Sequence, residues 1–168
     1  MSRSCVTQLL EVMEIVTDLL EEGKPVDIIY LDFKKAFDTV PHQRLLCKLK
    51  AYGICGNVYS WVADFLSNRK QRVRVGRDFS GMSEVYSGIP QGSILGPVLF
   101  TIFINDISDN IHSTCRIFAD DTKVLNKVEM KHEVESDLVG LQDWSEMWNL
   151  YFNVLKCGVM HIGRNNPL

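Results

Sequence analysis

Two adjacent carboxylates, Asp120 and Asp121, are the residues of this chain whose type and spacing are best suited to chemistry. They lie within residues 116–124, between two short runs that are both typical of β-strands. Because side chains alternate between the two faces of a strand, both carboxylates can approach one point only where the chain bends. We therefore predict that the pair forms the tip of a hairpin, where Mg²⁺ would offset the concentrated charge. A solvated turn is the alternative that the pair alone leaves open.

A third carboxylate, Asp32, ends a predicted strand over residues 26–33 that is apolar on nearly both faces. If this strand neighbours the Asp120 hairpin, three acidic groups converge at one edge of a sheet. Such a set can hold two magnesium ions about 3.5–4 Å apart, which is the arrangement that clamps both oxygens of an in-line phosphoryl transfer. Carboxylates alone do not distinguish a nuclease, a phosphatase and a polymerase.

Two other segments carry residues suited to binding a nucleotide. Phe37 lies five residues beyond Asp32, and its ring could rest against a sugar, although a core aromatic is the alternative. Residues 87–93 form a loop by their glycines and proline. Glycine, here Gly92, lets the backbone approach a ligand closely, and the Gln91 side chain can both donate and accept hydrogen bonds. The loop lacks the Gly-Lys-Ser/Thr of a Walker motif, and an ordinary turn is its alternative interpretation.

The chain has 168 residues, enough for one domain with a sizeable core, and a net charge of −3, which does not by itself indicate a nucleic-acid-binding protein. The basic residues are nevertheless clustered. A phosphate-binding patch and a solvated edge strand are equally good interpretations of that cluster. Its members are Arg69, Lys70, Arg72, Arg74 and Arg77.

The five cysteines are an odd number, are scattered and show no zinc-binding spacing, which favours reduced thiols. No apolar run reaches the length that crosses a membrane, and the first 20 residues lack a basic n-region followed by an apolar h-region. We therefore expect no membrane partner and an intracellular protein, in the cytoplasm or the nucleus.

The elements that must position these residues alternate between helices and strands, with antiparallel hairpins, which predicts an α+β fold. Helices are predicted over residues 5–22, from a cap at Asp38 or Thr39 to Gly53, and over 57–67, 94–107 and 131–148. Further strands are predicted over 70–77 and 82–87, around a turn at 78–81, and over 158–162. The first helix is expected to bury the stripe Val6, Leu9, Leu10, Met13, Val16 and Leu20.

Three segments, taken in this order, closely resemble reverse transcriptases of LINE-type (non-long-terminal-repeat) retrotransposons, and the resemblance covers essentially the whole chain. They are Tyr30-Leu31-Asp32-Phe33-Lys34-Lys35-Ala36-Phe37-Asp38-Thr39-Val40-Pro41-His42, Gly88-Ile89-Pro90-Gln91-Gly92-Ser93-Ile94-Leu95-Gly96-Pro97 and Phe118-Ala119-Asp120-Asp121. The resemblance implies that Asp32 and Asp120 directly ligate the two catalytic Mg²⁺ ions, with Mn²⁺ as a possible substitute. Asp121 would be the third, less directly engaged carboxylate.

The resemblance also implies roles for residues around the carboxylates. Lys156 matches the position of a lysine thought to protonate the pyrophosphate leaving group, although an ordinary surface lysine is nearly as good an interpretation. Phe37 matches an aromatic gate that excludes a ribose 2′-hydroxyl. Gln91 and Gly92 match contacts to the template and the incoming nucleotide, and we assign Phe33 to the same nucleotide-binding set. We assign the cluster Arg69, Lys70, Arg72 and Arg74 to nucleic-acid binding.

The fold implied by the resemblance is a polymerase palm, an antiparallel sheet backed by helices with its catalytic groups at an exposed edge. Residues 1–168 would be a truncated reverse transcriptase domain. Residues 1–25 would form a residual fingers-to-palm helix and residues 26–163 the palm, with fingers and thumb largely missing and supplied by a longer polyprotein. The implied activity is RNA-directed DNA polymerase, with an RNA template, a DNA primer and deoxynucleoside triphosphates as partners. The alternatives are a non-catalytic retroelement-derived remnant acting at most as an interaction module, and a two-metal nuclease.

Overall fold

The structure, a computed structural model, describes residues 5–164 and 166. In chain order its helices are α1 (Cys5–Glu21), α2 (Ala36–Thr39), α3 (His42–Ala51), α4 (Gly56–Leu66), α5 (Leu95–Ile104) and α6 (Lys131–Trp148), with a 3₁₀ turn at Val128–Met130. Its strands are β1 (Val26–Leu31), β2 (Arg69–Gln71), β3 (Arg74–Val75), β4 (Asp78–Phe79), β5 (Ser83–Val85), β6 (Thr114–Phe118), β7 (Asp121–Lys127) and β8 (Gly158–Ile162).

The chain divides into two compact units. The first is made of Met1–Lys34, Asp106–Met147 and Tyr151–Leu168, and the second of Lys35–Asn105 and Trp148–Leu150. The mixture of helices with antiparallel strands confirms the predicted α+β class.

The first unit is organised around a four-stranded antiparallel sheet in the order β6-β7-β1-β8. Strand β1 is central, and its residues are buried or half-buried along its whole length, as its apolar sequence predicts. Its neighbours β7 and β8 come from distant parts of the chain, so that long-range pairing holds this unit together.

Helix α1 packs against this sheet through Val12 and Val16. These two side chains join the buried strand residues Val26, Ile28 and Leu125 in one apolar cluster. The predicted stripe is therefore wrong, apart from Val16. Apolar residues occupy more than one side of this helix, so its sequence permits more than one buried stripe, and contact with the sheet selects among them. The exposed members of the predicted stripe are Val6, Leu9, Leu10, Met13 and Leu20.

A buried carboxylate fixes the segment that leads into β6. The Asp137 side chain, on α6, is only 1% exposed and accepts hydrogen bonds from the backbone N–H groups of His112 (2.9 Å) and Ser113 (2.8 Å). The Nδ1 atom of His112 lies 3.1 Å from the same carboxylate. Burial acts to raise the pKa of Asp137, but hydrogen bonds from Ser113 and His112 outweigh it and hold that pKa below its ordinary value.

The second unit is a helical cluster, in which α3 packs against α4 and α5. Its core includes Leu45, Leu66 and Phe103, all fully buried. Lys48 is also buried, at 2% exposure, and its Nζ donates to the Phe103 carbonyl oxygen at 2.5 Å. The same ammonium lies 3.8 Å from the centre of the Trp148 ring, a cation–π contact that helps to offset the loss of hydration.

Strands β2 to β5 form a long hairpin in this unit, in which β2 pairs with β5 and β3 with β4. The predicted turn at residues 78–81 is wrong, because Asp78 and Phe79 are paired in β4 and the chain reverses at Gly76 and Arg77. Gly76 has a φ of 61°, which suits glycine at a tight turn. We call Arg69–Val85 the basic arm.

Two further details of the second unit differ from the sequence-based prediction. Helix α3 has Pro41 at its N-cap position and no side-chain capping bond, so neither Asp38 nor Thr39 caps it. Both residues belong instead to the short helix α2, which the sequence pattern does not predict. In α4 the apolar spacing predicts that Val58, Trp61, Val62 and Phe65 face inward. Val58 and Trp61 are instead mostly exposed, whereas Val62 and Leu66 are buried.

We expect Asp137→Ala to lower the free energy of unfolding by roughly 2–4 kcal/mol, because two backbone N–H groups lose a charged acceptor. The matched control is Asp143→Ala, an exposed carboxylate on the same helix, which should change stability by less than about 0.5 kcal/mol. Urea unfolding followed by circular dichroism measures both, and equal effects would contradict this account. The pKa of Asp137 is lower in the folded protein than in the unfolded chain. The stabilisation contributed by its ionised carboxylate is therefore present above about pH 4 and is lost as the pH falls towards the folded-state pKa.

Candidate functional site

The predicted carboxylates come from neighbouring strands of the first unit. In the pairing of β1 with β7, Leu31 lies opposite Thr122. Asp32 directly follows Leu31 and Asp121 directly precedes Thr122, so both lie at the same end of this strand pair. The two carboxylates, 89 positions apart in the sequence, therefore share one edge of the sheet.

Asp120 lies in the loop that joins β6 to β7. Phe118 pairs with Asp121, which leaves only Ala119 and Asp120 to reverse the chain. Ala119 has a φ of 51°, a left-handed conformation that residues with a Cβ seldom adopt. The predicted hairpin tip is thereby confirmed, and the bend places Asp120 and Asp121 at the end of the strand pair.

A cavity of about 430 Å³ lies at this edge. Its lining includes two of the predicted carboxylates, Asp32 and Asp121. The residues that line it are Tyr30, Leu31, Asp32, Asp121, Thr122, Lys123 and Lys156. Hard oxygen ligands of this kind suit Mg²⁺ or Mn²⁺.

Lys156 lies directly on the candidate site, with its Nζ 2.9 Å from Oδ2 of Asp32. The hydrogen bond to Asp32 and the charge of Asp32 raise the pKa of Lys156, and the charges of Asp120 and Asp121 raise it further. All three predicted carboxylates therefore act on one ammonium group.

Within residues 5–164 and 166 no three His, Cys, Asp or Glu side chains are arranged to hold a metal ion together.

The backbone around Lys156 is attached to Asp32 as well. The N–H of Asn153 donates to the Asp32 carbonyl oxygen at 2.7 Å. The N–H groups of Lys156 and Cys157 both donate to the Asn153 carbonyl oxygen, at 2.8 and 3.1 Å. This turn keeps Lys156 beside the end of β1, a contact that spacing in the sequence does not predict.

Phe33 does not present its ring to a ligand. The side chain is only 2% exposed, stacks on Phe152 with 4.6 Å between ring centres and contacts Trp144 at 6.2 Å. The ring therefore belongs to the apolar core, and the assignment of Phe33 to nucleotide binding stays a prediction. Its position next to Asp32 places it on the opposite face of the chain from that carboxylate.

Phe37, Gln91 and Gly92 lie in the second unit and line one cavity of about 430 Å³. The Phe37 ring stacks on the buried ring of Phe100, with 4.6 Å between the ring centres, and this contact fixes its orientation. The sequence-based grouping of these three residues therefore matches a single cavity. The other residues that line it are Pro90, Ser93, Ile94, Gly96 and Pro97.

The loop that carries Gln91 is bonded to the segment that carries Phe37. The N–H of Ile89 donates to the Phe37 carbonyl at 2.7 Å, and the N–H of Gly88 donates to the Val40 carbonyl at 2.8 Å. The Gln91 side-chain amide donates to the Asp38 carboxylate at 2.9 Å. Sequence reasoning treated Asp38 as a helix cap and missed this contact, which joins two segments 53 residues apart.

The four basic residues assigned to nucleic acid have different environments. The Arg69 guanidinium is hydrogen-bonded within the chain, because it donates to the carbonyl oxygens of Leu66 and Gly88. Lys70 pairs with Glu84 on the adjacent strand at 2.9 Å. The remaining two, Arg72 and Arg74, lie over the Phe79 ring, with their Cζ atoms 4.0 and 5.5 Å from its centre, on the exposed basic arm.

His42 shares the Gly88 carbonyl with Arg69, and its Nε2 lies 2.8 Å from that oxygen. Burial lowers the pKa of His42 and the charge of Arg69 lowers it too, against the opposing effect of the Gly88 carbonyl. The imidazole is therefore neutral at physiological pH, which lets it lie beside a guanidinium.

The family model described as "Reverse transcriptase (RNA-dependent DNA polymerase)" matches residues 3–166 of this chain. The chain is 32% identical over 162 residues to "RNA-directed DNA polymerase from mobile element jockey" of Drosophila melanogaster, which covers 89% of the chain. It is 29% identical to "Probable RNA-directed DNA polymerase from transposon X-element" of the same species, over 90% of the chain. In both cases the chain spans only 18% of the relative's length.

Solved structures with a similar fold include telomerases in complex with the TWJ fragment of telomeric RNA. The telomerase of Candida tropicalis matches 98% of the chain with a TM-score of 0.74 at 10% identity, and the chain spans 30% of it. That of Candida albicans matches 99% of the chain with a TM-score of 0.74 at 13% identity, and the chain spans 31% of it. These likenesses concern the fold.

None of the described helices has the length and hydropathy required to span a bilayer.

We predict that Gly88→Ala destabilises the protein by about 2–4 kcal/mol. Gly88 has a φ of 84°, and a Cβ there would lie 2.5 Å from the Asp38 carbonyl oxygen, so the loop would have to separate from the Phe37 segment. Gly92→Ala is the matched control, because φ is 79° but nothing lies within 4 Å of the added Cβ. Only the conformational cost, about 1–2 kcal/mol, applies there. Urea unfolding measures both variants, and a Gly92→Ala loss as large as that of Gly88→Ala would contradict the steric explanation.

Proposed function

Because this chain belongs to the reverse transcriptase (RNA-dependent DNA polymerase) family, we propose that it carries the catalytic palm of an RNA-directed DNA polymerase. The reaction would add deoxynucleotides to a primer 3′-hydroxyl on an RNA template. The observation that carries this proposal is the position of Asp32 and Asp121 at one sheet edge, with Asp120 in the adjoining loop and all three acting on Lys156.

In this proposal Asp32, Asp120 and Asp121 form the cation-binding side of the site. Two Mg²⁺ ions, or Mn²⁺ in their place, would supply Lewis-acid stabilisation of the attacking and leaving oxygens when bound. The carboxylates of Asp32 and Asp121 fit that role because both line one cavity at the sheet edge.

Lys156 would act as the proton donor to the pyrophosphate leaving group. Hydrogen bonding to Asp32 and the charge of Asp32 raise its pKa, so that Nζ carries its proton at physiological pH. The side chain is 66% exposed, which leaves the ammonium accessible to a substrate. A general acid needs both properties, a retained proton and a route to the atom that receives it.

Phe37, Gln91 and Gly92 would bind the incoming nucleotide and the template in the second unit. The Phe37 ring is held against Phe100 and would exclude a ribose 2′-hydroxyl by its bulk. The Gln91 amide is oriented by Asp38, while its carbonyl oxygen can accept a further hydrogen bond. Gly92 adds no side chain, so a base or sugar can approach the backbone there.

The partners would be an RNA template, a DNA primer and deoxynucleoside triphosphates, by analogy with relatives named RNA-directed DNA polymerases. Because the chain spans only 18% of those relatives, we further propose that other parts of a longer polyprotein hold the template and primer. Arg72 and Arg74 of the basic arm would contribute phosphate contacts within this chain, since their guanidinium groups lie at its exposed face.

We expect the chain to extend a DNA primer only weakly and without processivity on an RNA template when Mg²⁺ or Mn²⁺ is present, because other parts of the polyprotein would hold the template and primer. Asp120→Ala should reduce this rate by at least about a hundredfold. Denaturing gel electrophoresis of a labelled primer measures this. Asp143→Ala, which removes an exposed carboxylate from α6, should leave the rate unchanged. Extension that survives Asp120→Ala would indicate a contaminant, and no extension at high protein concentration would favour a non-catalytic remnant. Cleavage of nucleic acid without added nucleotides would indicate a nuclease.

We also expect the double variant Arg72→Gln/Arg74→Gln to weaken binding to an RNA–DNA hybrid. The dependence of log K on log salt concentration should become shallower by roughly one for each lost phosphate contact. Lys70→Gln is the matched control in the same arm, because Lys70 is already paired with Glu84, and it should have the smaller effect. Fluorescence anisotropy with a labelled hybrid measures both. A loss for Lys70→Gln that is half as large as that for the double variant would show that the arm contributes only net charge, because Lys70→Gln removes one positive charge and the double variant removes two.

A further inference from the structure

We propose that Lys156 is a built-in competitor for the divalent cation, occupying the cation position beside Asp32 until it is displaced. The inference rests on the proposed function, because it concerns the same carboxylate site. It adds a step to the role of Lys156 in that proposal, since the ammonium must leave Asp32 before it can reach a leaving group.

The first argument is the position of the ammonium. Nζ of Lys156 lies 2.9 Å from Oδ2 of Asp32, the distance of a charge-assisted hydrogen bond. The Asp32 side chain is 22% exposed, so few other directions of approach remain for a cation. A metal ion that binds Oδ2 would lie close to the ammonium of Lys156, and the two positive charges would repel each other.

The second argument is that the backbone keeps Lys156 in place whichever partner it has. The Asn153 N–H donates to the Asp32 carbonyl at 2.7 Å, and the turn from Asn153 to Cys157 is closed by its own hydrogen bonds. The side chain is 66% exposed and has four rotatable carbon–carbon bonds. Its ammonium can therefore swing away from Asp32 without any change in the backbone.

A second lysine in the same cavity allows this contact to be separated from a general effect of charge. Lys123 also lines the cavity, but its Nζ lies over the Tyr30 ring, 5.8 Å from the ring centre. Removing either lysine subtracts one positive charge from the cavity. Only the removal of Lys156 releases the Oδ2 atom of Asp32 from an ion pair.

The test is Mn²⁺ binding to the whole chain at fixed pH. Binding is measured by the loss of the free-ion signal in electron paramagnetic resonance. Lys156→Gln should tighten Mn²⁺ binding roughly two- to fivefold, a range that reflects the modest strength of a partly exposed ion pair. Lys156→Met serves as a second variant without hydrogen-bonding capacity and should behave in the same way. Lys123→Gln is the matched control and should change the affinity less than Lys156→Gln. Circular dichroism verifies that each variant is folded.

Unchanged or weaker binding by Lys156→Gln, or an equal gain for Lys123→Gln, would overturn the inference. If Asp32→Asn and Asp120→Asn both reduce Mn²⁺ binding in that case, the proposed function survives and only the competition fails. If neither aspartate variant affects Mn²⁺ binding, the carboxylate site itself is refuted, and with it the inference.

Acetylation of lysines by acetic anhydride, read by mass spectrometry, provides an independent measurement. Because binding linkage is reciprocal, saturating Mn²⁺ should make Lys156 react faster as its ammonium leaves Asp32. The reactivity of Lys123 should change less. Lys156 reactivity that does not rise with Mn²⁺ would contradict displacement.

Discussion

The antiparallel pairing of β1 with β7 is the constraint on which the candidate site depends. Its register places Leu31 opposite Thr122, and the residues just beyond this pair are Asp32 and Asp121. Shifting the register by a single residue would send every side chain of one strand to the opposite face and separate the carboxylates. Burial of Val26 and Ile28 beneath α1 prevents such a shift, because it would expose them to water. The apolar core thus determines the position of the charged groups.

Charge at the end of β1 is balanced within the chain. The ammonium of Lys156 lies on Asp32, and the same residue is influenced by Asp120 and Asp121. The turn at 153–157 holds this side-chain cation beside the end of β1, because the Asn153 N–H donates to the Asp32 carbonyl oxygen.

The second unit relies on a different kind of constraint, a set of backbone hydrogen bonds between two loops. The Gly88 and Ile89 N–H groups bond to the carbonyls of Val40 and Phe37, at a distance that leaves no room for a Cβ on Gly88. Arg69 and His42 both contact the carbonyl oxygen of Gly88. Arg69, which the sequence assigns to phosphate binding, therefore holds the loop in place. Charge alone does not reveal this role, because it depends on partners far along the chain.

The sequence by itself determined the order and kind of most elements, the family motifs and the hairpin at Asp120, because periodicity, turn residues and local spacing are properties of neighbouring positions. Tertiary structure decided which faces are buried. Helix α1 has apolar residues on several sides, and only the sheet selects Val12 and Val16. The tertiary structure also placed the Phe33 ring in the core. It paired Lys156 with Asp32, which lies 124 residues earlier in the chain. Such pairings depend on contacts between distant segments, which no local pattern encodes.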